Sequence, residues 1–98
     1  MQSFFELING TKPVLVDFFA EWCGPCKAMP PILKEVKSSV GDAATIIKVD
    51  IDKSPQVASS YGVQAVPTVM IFKSGKVVWR HSGVLPASEL KRSLMNFV

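Results

Sequence analysis

Val14-Leu15-Val16-Asp17-Phe18-Phe19-Ala20-Glu21-Trp22-Cys23-Gly24-Pro25-Cys26 is the stretch on which the reading of the chain turns. Its first seven residues are apolar on both alternating faces, broken once by Asp17. Strands buried on both sides of a parallel sheet read this way. Beyond Cys23 the period changes. Met29, Ile32, Leu33, Val36 and Val40 recur at three- and four-residue steps, and Gly41 follows as a stop signal. The two cysteines therefore lie where a central strand turns into a long helix. Pro30-Pro31 falls inside the helical pattern, so a kink is expected there, where backbone hydrogen bonds are lost.

Upstream, Phe4, Phe5, Leu7 and Ile8 have helical spacing, with Ser3 as N-cap and Gly10 as stop. Downstream, Thr45–Ile51 reads as a second strand. Ser54-Pro55 opens a short helix that Gly62 ends, with Ser54 as N-cap and Pro55 at the first helical position. Thr68–Phe72 and Val77–Ser82 are two more strands, and Lys73-Ser74-Gly75-Lys76 joins them as a hairpin turn. Pro86 opens the last helix, whose apolar face is expected to be Leu90, Leu94, Met95, Phe97 and Val98. The order α-β-α-β-α-β-β-α is that of an α/β fold. It implies a right-handed βαβ unit followed by an antiparallel hairpin.

The 98 residues are expected to form one domain, residues 1–98, with a single modest core. Hydrophobic residues make up 48%, yet no run approaches the roughly 18 apolar residues of a membrane span. The net charge is +3, but the basic residues are scattered, and only Lys91-Arg92 are adjacent. That pattern reads as a solvated surface and not as a nucleic-acid footprint. Met1–Gly10 has neither a basic n-region nor an apolar h-region, and the expected location is the cytoplasm.

Cys23 and Cys26 are the chain's two cysteines. At this spacing on a helix their Cβ atoms stand roughly 5–6 Å apart. A disulfide needs about 3.5–4.5 Å, which only a distorted first turn supplies. Gly24-Pro25 places the pair in that turn, so both dithiol and disulfide are permitted. Unpaired N–H groups and the helix dipole favour an anion at this end. Cys23, the outer residue, is expected to be the thiolate nucleophile. Cys26, one turn in, is expected to be more buried and to act second. Two cysteines and the distant His81 fall short of the four protein ligands of a structural zinc site.

Asp17 is costly to bury among its apolar neighbours, and desolvation raises the pKa of such a carboxylate. Against a reading as a water-facing edge residue, strand alternation favours a buried proton acceptor beneath Cys26. Lys48 interrupts the second strand in the same manner. It reads equally as a lysine snorkelling from a strand end or as a charge that reaches Asp17 and keeps it ionised. Trp79 reads as packing over a sheet edge, and His81 as an ordinary exposed residue.

With these residues in place, the chain resembles the thioredoxin family from about Phe4 to Phe97. The resemblance rests on Asp17 through Lys27, on Pro31, on Lys48-Val49-Asp50-Ile51-Asp52, on Val66-Pro67-Thr68, and on Gly75 and Gly83. It implies a three-layer sandwich with a central mixed sheet and a cis peptide bond before Pro67. It implies that Val66 pairs with an extended substrate, and that Trp22, Gly24, Pro25, Val66, Pro67 and Gly83 form an apolar docking surface. The implied activity is reduction of disulfide-containing proteins, with Cys23, Cys26, Asp17 and Lys48 as catalytic residues; a thiol oxidase or isomerase on the same fold, or a non-catalytic binding subunit, is the alternative. No bound cofactor is implied; electrons would come from NADPH through a thioredoxin reductase.

Three departures from the family pattern stand out. Only Met1-Gln2 precede Ser3, too few for the family's usual first strand. The sheet is therefore expected to have four strands with Thr45–Ile51 at an edge. A monomer is expected, and an edge-strand dimer is the alternative, since an unpaired edge invites pairing. Phe19 stands where the family commonly has tryptophan, which removes an indole donor. Ala65 stands where many members carry glycine or another small residue.

Overall fold

The structure is a computed structural model that describes residues 3–98. Met1 and Gln2, read as too short to make a strand, lie outside the described residues. Ser3 is extended, and its hydroxyl accepts the Glu6 N–H at 3.2 Å, which opens helix α1 (Phe4–Ile8) as expected. Asn9 takes the C-cap position in place of Gly10. The Gly10 carbonyl instead accepts the Ser74 N–H at 2.9 Å, and the Ile8 carbonyl accepts the Gly75 N–H at 3.0 Å. The hairpin turn thus satisfies the last carbonyl of α1 and that of Gly10 just beyond the helix.

Strands β1 (Val14–Phe19), β2 (Thr45–Asp50), β3 (Thr68–Lys73) and β4 (Lys76–Ser82) form one sheet in the order β2-β1-β3-β4. β1 and β2 are parallel; β1 with β3, and β3 with β4, are antiparallel. This is the expected mixed four-stranded sheet, with β2 at an edge. Strand β2 stops one residue short of the expected Ile51, whose N–H nevertheless reaches the Phe19 carbonyl at 2.9 Å.

Helices α2 (Met29–Val40) and α4 (Ala87–Met95) cover one face. Leu15, Val69 and Ile71 point to that side and pack with Met29, Leu33, Val36, Leu90 and Leu94. α1 and α3 (Pro55–Ser60) cover the other face, over Val14, Val16, Phe18, Met70 and Phe72. There Phe4 and Tyr61 both meet Phe72 edge-on, at 5.6 and 5.0 Å between ring centres. Period-two alternation along β1 and β3 therefore sorts the two cores.

Three local expectations are corrected. Pro30 and Pro31 are the second and third residues of α2, where no intrahelical N–H partner exists, so they begin the helix and do not kink its interior. Ser54 stands at the N-cap of α3, but its side chain makes no capping bond. Its backbone does the anchoring, donating to the Asp50 carbonyl at 2.8 Å and accepting from Ala58 at 3.2 Å. On α4, Leu90 and Leu94 are buried, whereas Met95 and Val98 are 44% and 56% exposed. One residue step rotates a helical side chain by roughly 100°, which carries Met95 off the face that Leu94 occupies.

Candidate active site

The site begins where β1 ends. The Cys23 N–H donates to the Ala20 carbonyl at 3.2 Å, turning the chain out of the strand. Pro25–Ala28 then form a 3₁₀ turn that leads into α2. Cys23, just before that turn, and Cys26, within it, have Cα atoms 5.4 Å apart and form a disulfide. This is the distorted first turn that the spacing required.

Both cysteines are buried, at 4% and 5% exposure, so the expected difference in burial is absent. Their asymmetry lies in hydrogen bonding. The Cys26 N–H points at Cys23 Sγ, 3.2 Å away. A donor aimed at Cys23 stabilises negative charge on that sulfur, and Cys26 has no equivalent donor among the described residues. Cys23 Sγ also lies 3.6 Å from the Val66 carbonyl oxygen.

Asp17 is fully buried, which sets aside the water-facing reading. It lies on the same side of β1 as Leu15, and so on the side covered by α2 and α4. Neither of its carboxylate oxygens has a hydrogen-bond partner within the protein. Burial pushes its pKa up to about 6, against an opposing pull from Lys48.

Lys48 is the register partner of Asp17 across β1 and β2, so both side chains leave the same face. It is nevertheless exposed, and its ammonium sits over the Phe19 ring, 4.9 Å from the centroid. No ion pair joins Lys48 to Asp17 among the described residues. The lysine acts on Asp17 through space only, and desolvation wins. Beside it runs a groove of about 340 Å³, lined by Phe19, Cys26, Lys27, Pro30 and Lys48 among others, which gives solvent an approach to the Cys26 side of the pair.

Trp22 is 69% exposed, and its indole N–H donates to Asp52 Oδ2 at 2.8 Å. Asp52 is itself held by its backbone N–H, which donates to Asp50 Oδ1 at 2.8 Å. This tie was missed in the sequence because its partners are thirty residues apart. The Asp50-Ile51-Asp52 spacing just past a strand was the available signal. Gly24 and Pro25 are exposed beside Trp22, whereas Pro67 is buried.

The Val66–Pro67 peptide bond is cis. Gly83, at φ +105°, donates its N–H to the Pro67 carbonyl at 2.8 Å. Cys23, Val66, Pro67 and Gly83 are therefore brought into one neighbourhood. His81 is half-buried and not an ordinary exposed residue; it stacks on Trp79 with centroids 6.2 Å apart. Trp79 packs against the α2–α4 core, as its place on an edge strand suggested. Among the described residues no cluster of three or more His, Cys, Asp or Glu is arranged to hold a metal ion. No helix among the described residues is long and apolar enough to cross a membrane.

A cysteine pair that closes in the turn leading into a helix, on a four-stranded mixed sheet covered by helices on both faces, defines an α/β domain with a disulfide reached from the surface by a groove. Comparison with known proteins places it further. A family model described as Thioredoxin matches residues 1–96. The chain is 46% identical over 95 residues to a chloroplastic thioredoxin Y2 of Arabidopsis thaliana, covering 96% of this chain but 57% of that protein. It is 45% identical over 97 residues to a thioredoxin-like protein of Synechocystis, covering 98% of this chain and 92% of that one. Among solved structures, a thioredoxin of Malassezia sympodialis superposes with a TM-score of 0.88 at 35% identity, covering 96% of this chain and 82% of that chain. The chain belongs to the thioredoxin family.

Proposed function

We propose that the chain reduces protein disulfides by dithiol–disulfide exchange, with Cys23 as nucleophile and Cys26 as resolving thiol. The observation that carries this reading is the Cys26 N–H aimed at Cys23 Sγ across the 3₁₀ turn. It stabilises thiolate on one cysteine of the pair and so marks Cys23 as the nucleophile. The Cys23 thiolate attacks one sulfur of a target disulfide, forming a mixed disulfide and releasing the other sulfur as thiolate. Asp17, ionised above about pH 6, accepts the Cys26 proton. The Cys26 thiolate then attacks Cys23, which closes the intramolecular disulfide and frees the target as dithiol.

Trp22, Gly24, Pro25, Val66 and Gly83 offer the docking surface in this reading, Pro67 being buried, and the Val66 carbonyl beside Cys23 marks where an extended substrate would pair. Lys48 tunes Asp17 by its charge. The pair is recharged by a thioredoxin reductase drawing on NADPH, in a reducing compartment such as the cytoplasm. An oxidase or isomerase on the same fold would use the same residues in the opposite direction, so the reduction potential separates the two.

Equilibration with thiol buffers, followed by Trp22 fluorescence, should give a strongly reducing potential. An oxidising value would overturn the direction of transfer. Cys26→Ser should accumulate the mixed disulfide with a target protein, and Cys23→Ser should form none. Trapping by Cys23→Ser would reverse the two roles.

A further inference from the structure

Thr68 and Asp17 are the two buried polar or charged side chains among the described residues, and the exchange chemistry uses only Asp17. Thr68 opens β3 directly after Pro67 and has no exposed surface. Its hydroxyl donates to the Ala65 carbonyl at 2.6 Å and lies 3.0 Å from the Ser82 hydroxyl. A threonine has one hydroxyl proton, and that proton is committed to Ala65. The contact with Ser82 therefore runs the other way, with Ser82 donating to Thr68. Thr68 and Ser82 are cross-strand partners in the β3–β4 ladder, so the chain of hydroxyls is built into the sheet.

The consequence falls on the segment before the cysteine-facing loop. The Ala65 carbonyl is tied inward by Thr68, and the Pro67 carbonyl is tied by the Gly83 N–H at 2.8 Å. The carbonyl between them, that of Val66, is left facing Cys23 Sγ. Val66 makes no backbone–backbone hydrogen bond among the described residues, through either its N–H or its carbonyl. Fixing the two flanking carbonyls sets the direction in which this open edge points.

We propose that Thr68, held by Ser82, is a positioning residue that presents the Val66 backbone edge to an extended peptide segment flanking the target disulfide. This rests on the disulfide-reductase reading above. Such a clamp acts on substrates that pair through their backbone. A small aromatic disulfide has no backbone to pair and depends on Cys23 alone.

The test uses Thr68→Val, which keeps the shape and removes the hydroxyl, and Thr68→Ser, which restores it. Removing the donor leaves the Ala65 carbonyl unpaired, while the exposed Ser82 hydroxyl turns to water. Thr68→Val should raise KM for a disulfide-bonded peptide roughly tenfold, with a much smaller effect on a small aromatic disulfide. Thr68→Ser should recover most of the peptide KM, and Ser82→Ala should fall between.

An unchanged peptide KM in Thr68→Val would overturn the inference. So would an equal loss on both substrates or a shifted Cys23–Cys26 potential, since either marks a general structural role. A wild-type protein that turns over the small disulfide but no peptide disulfide would instead overturn the parent reading.

Discussion

A carboxylate with no exposed surface and no hydrogen-bond partner is a burden on the fold that only its protonation relieves. Asp17 is such a group, with its pKa pushed from 3.8 to about 6 by burial. Between those two values the folded chain holds a proton that the unfolded chain has released. Stability therefore falls as pH rises through that window and is level again above it. The ionised form costs about 3 kcal/mol relative to the protonated one at neutral pH. Asp17→Asn carries no such charge. Urea unfolding of both proteins across pH should show the variant gaining on the wild type by about 2 kcal/mol between pH 4 and pH 7, with other titrating groups cancelling in the difference. A gap that stays constant across this range would mean that Asp17 is solvated in the folded state. The same substitution removes the proton acceptor for Cys26, so the mixed disulfide should persist longer in the variant. Stability and turnover thus move in opposite directions at a single residue.

At the scale of elements, the turn between β3 and β4 does more than reverse the chain. Ser74 and Gly75 both have positive φ, at 53° and 82°; the Gly75 N–H closes the end of α1 at Ile8, and the Ser74 N–H binds the Gly10 carbonyl just beyond it. Gly75 is also tight against Asn9, whose Oδ1 would lie 2.9 Å from an added Cβ. Gly75→Ala combines left-handed strain with displacement of a mobile polar side chain, and should cost about 1–2 kcal/mol in urea unfolding. Gly75→Asn should cost less, because asparagine tolerates this region better. Equal costs for the two would indicate that contact with Asn9, and not backbone conformation, decides the position.

The hairpin was legible in the sequence because its glycine sits between two β-rich runs. The strand–turn–helix around Cys23 was legible for a similar reason, since a change of apolar period is a local signal. What escaped was fixed by partners far along the chain. The Trp22–Asp52 bond and the Thr68–Ser82 contact join residues whose types alone announce no pairing. The equal burial of Cys23 and Cys26 depends on how Ala20, Phe19, Ile51 and Val66 pack around them, which no spacing rule encodes. Ser54 fails as a side-chain cap because its backbone, at φ −129° and ψ 60°, lies outside the extended region from which a capping hydroxyl reaches the first turn.

For the molecule as a whole, the open question of association comes down to one edge. The N–H groups of Thr45 and Ile51 point inward to Pro13 and Phe19, so by alternation the backbone groups of Ile46 and Lys48 point outward. No other strand of the described sheet lies on that side of β2. An edge of this kind is a template for a second copy, and a lysine in its middle is a known physical guard against that. Antiparallel pairing centred on Lys48 would set two ammonium groups opposite each other. Pairing centred on Ile47 would set each ammonium beside the partner copy's Ile46 and crowd it off the Phe19 ring where it now rests. Both registers are therefore penalised. The 98-residue chain should scatter light as a monomer from micromolar to millimolar concentration, and Lys48→Val should associate over the same range. A wild-type dimer would show that the edge pairs despite the charge. Should Lys48→Val instead stay monomeric, the short length of β2 would be the protection, and Lys48 would be left with its electrostatic action on Asp17 alone.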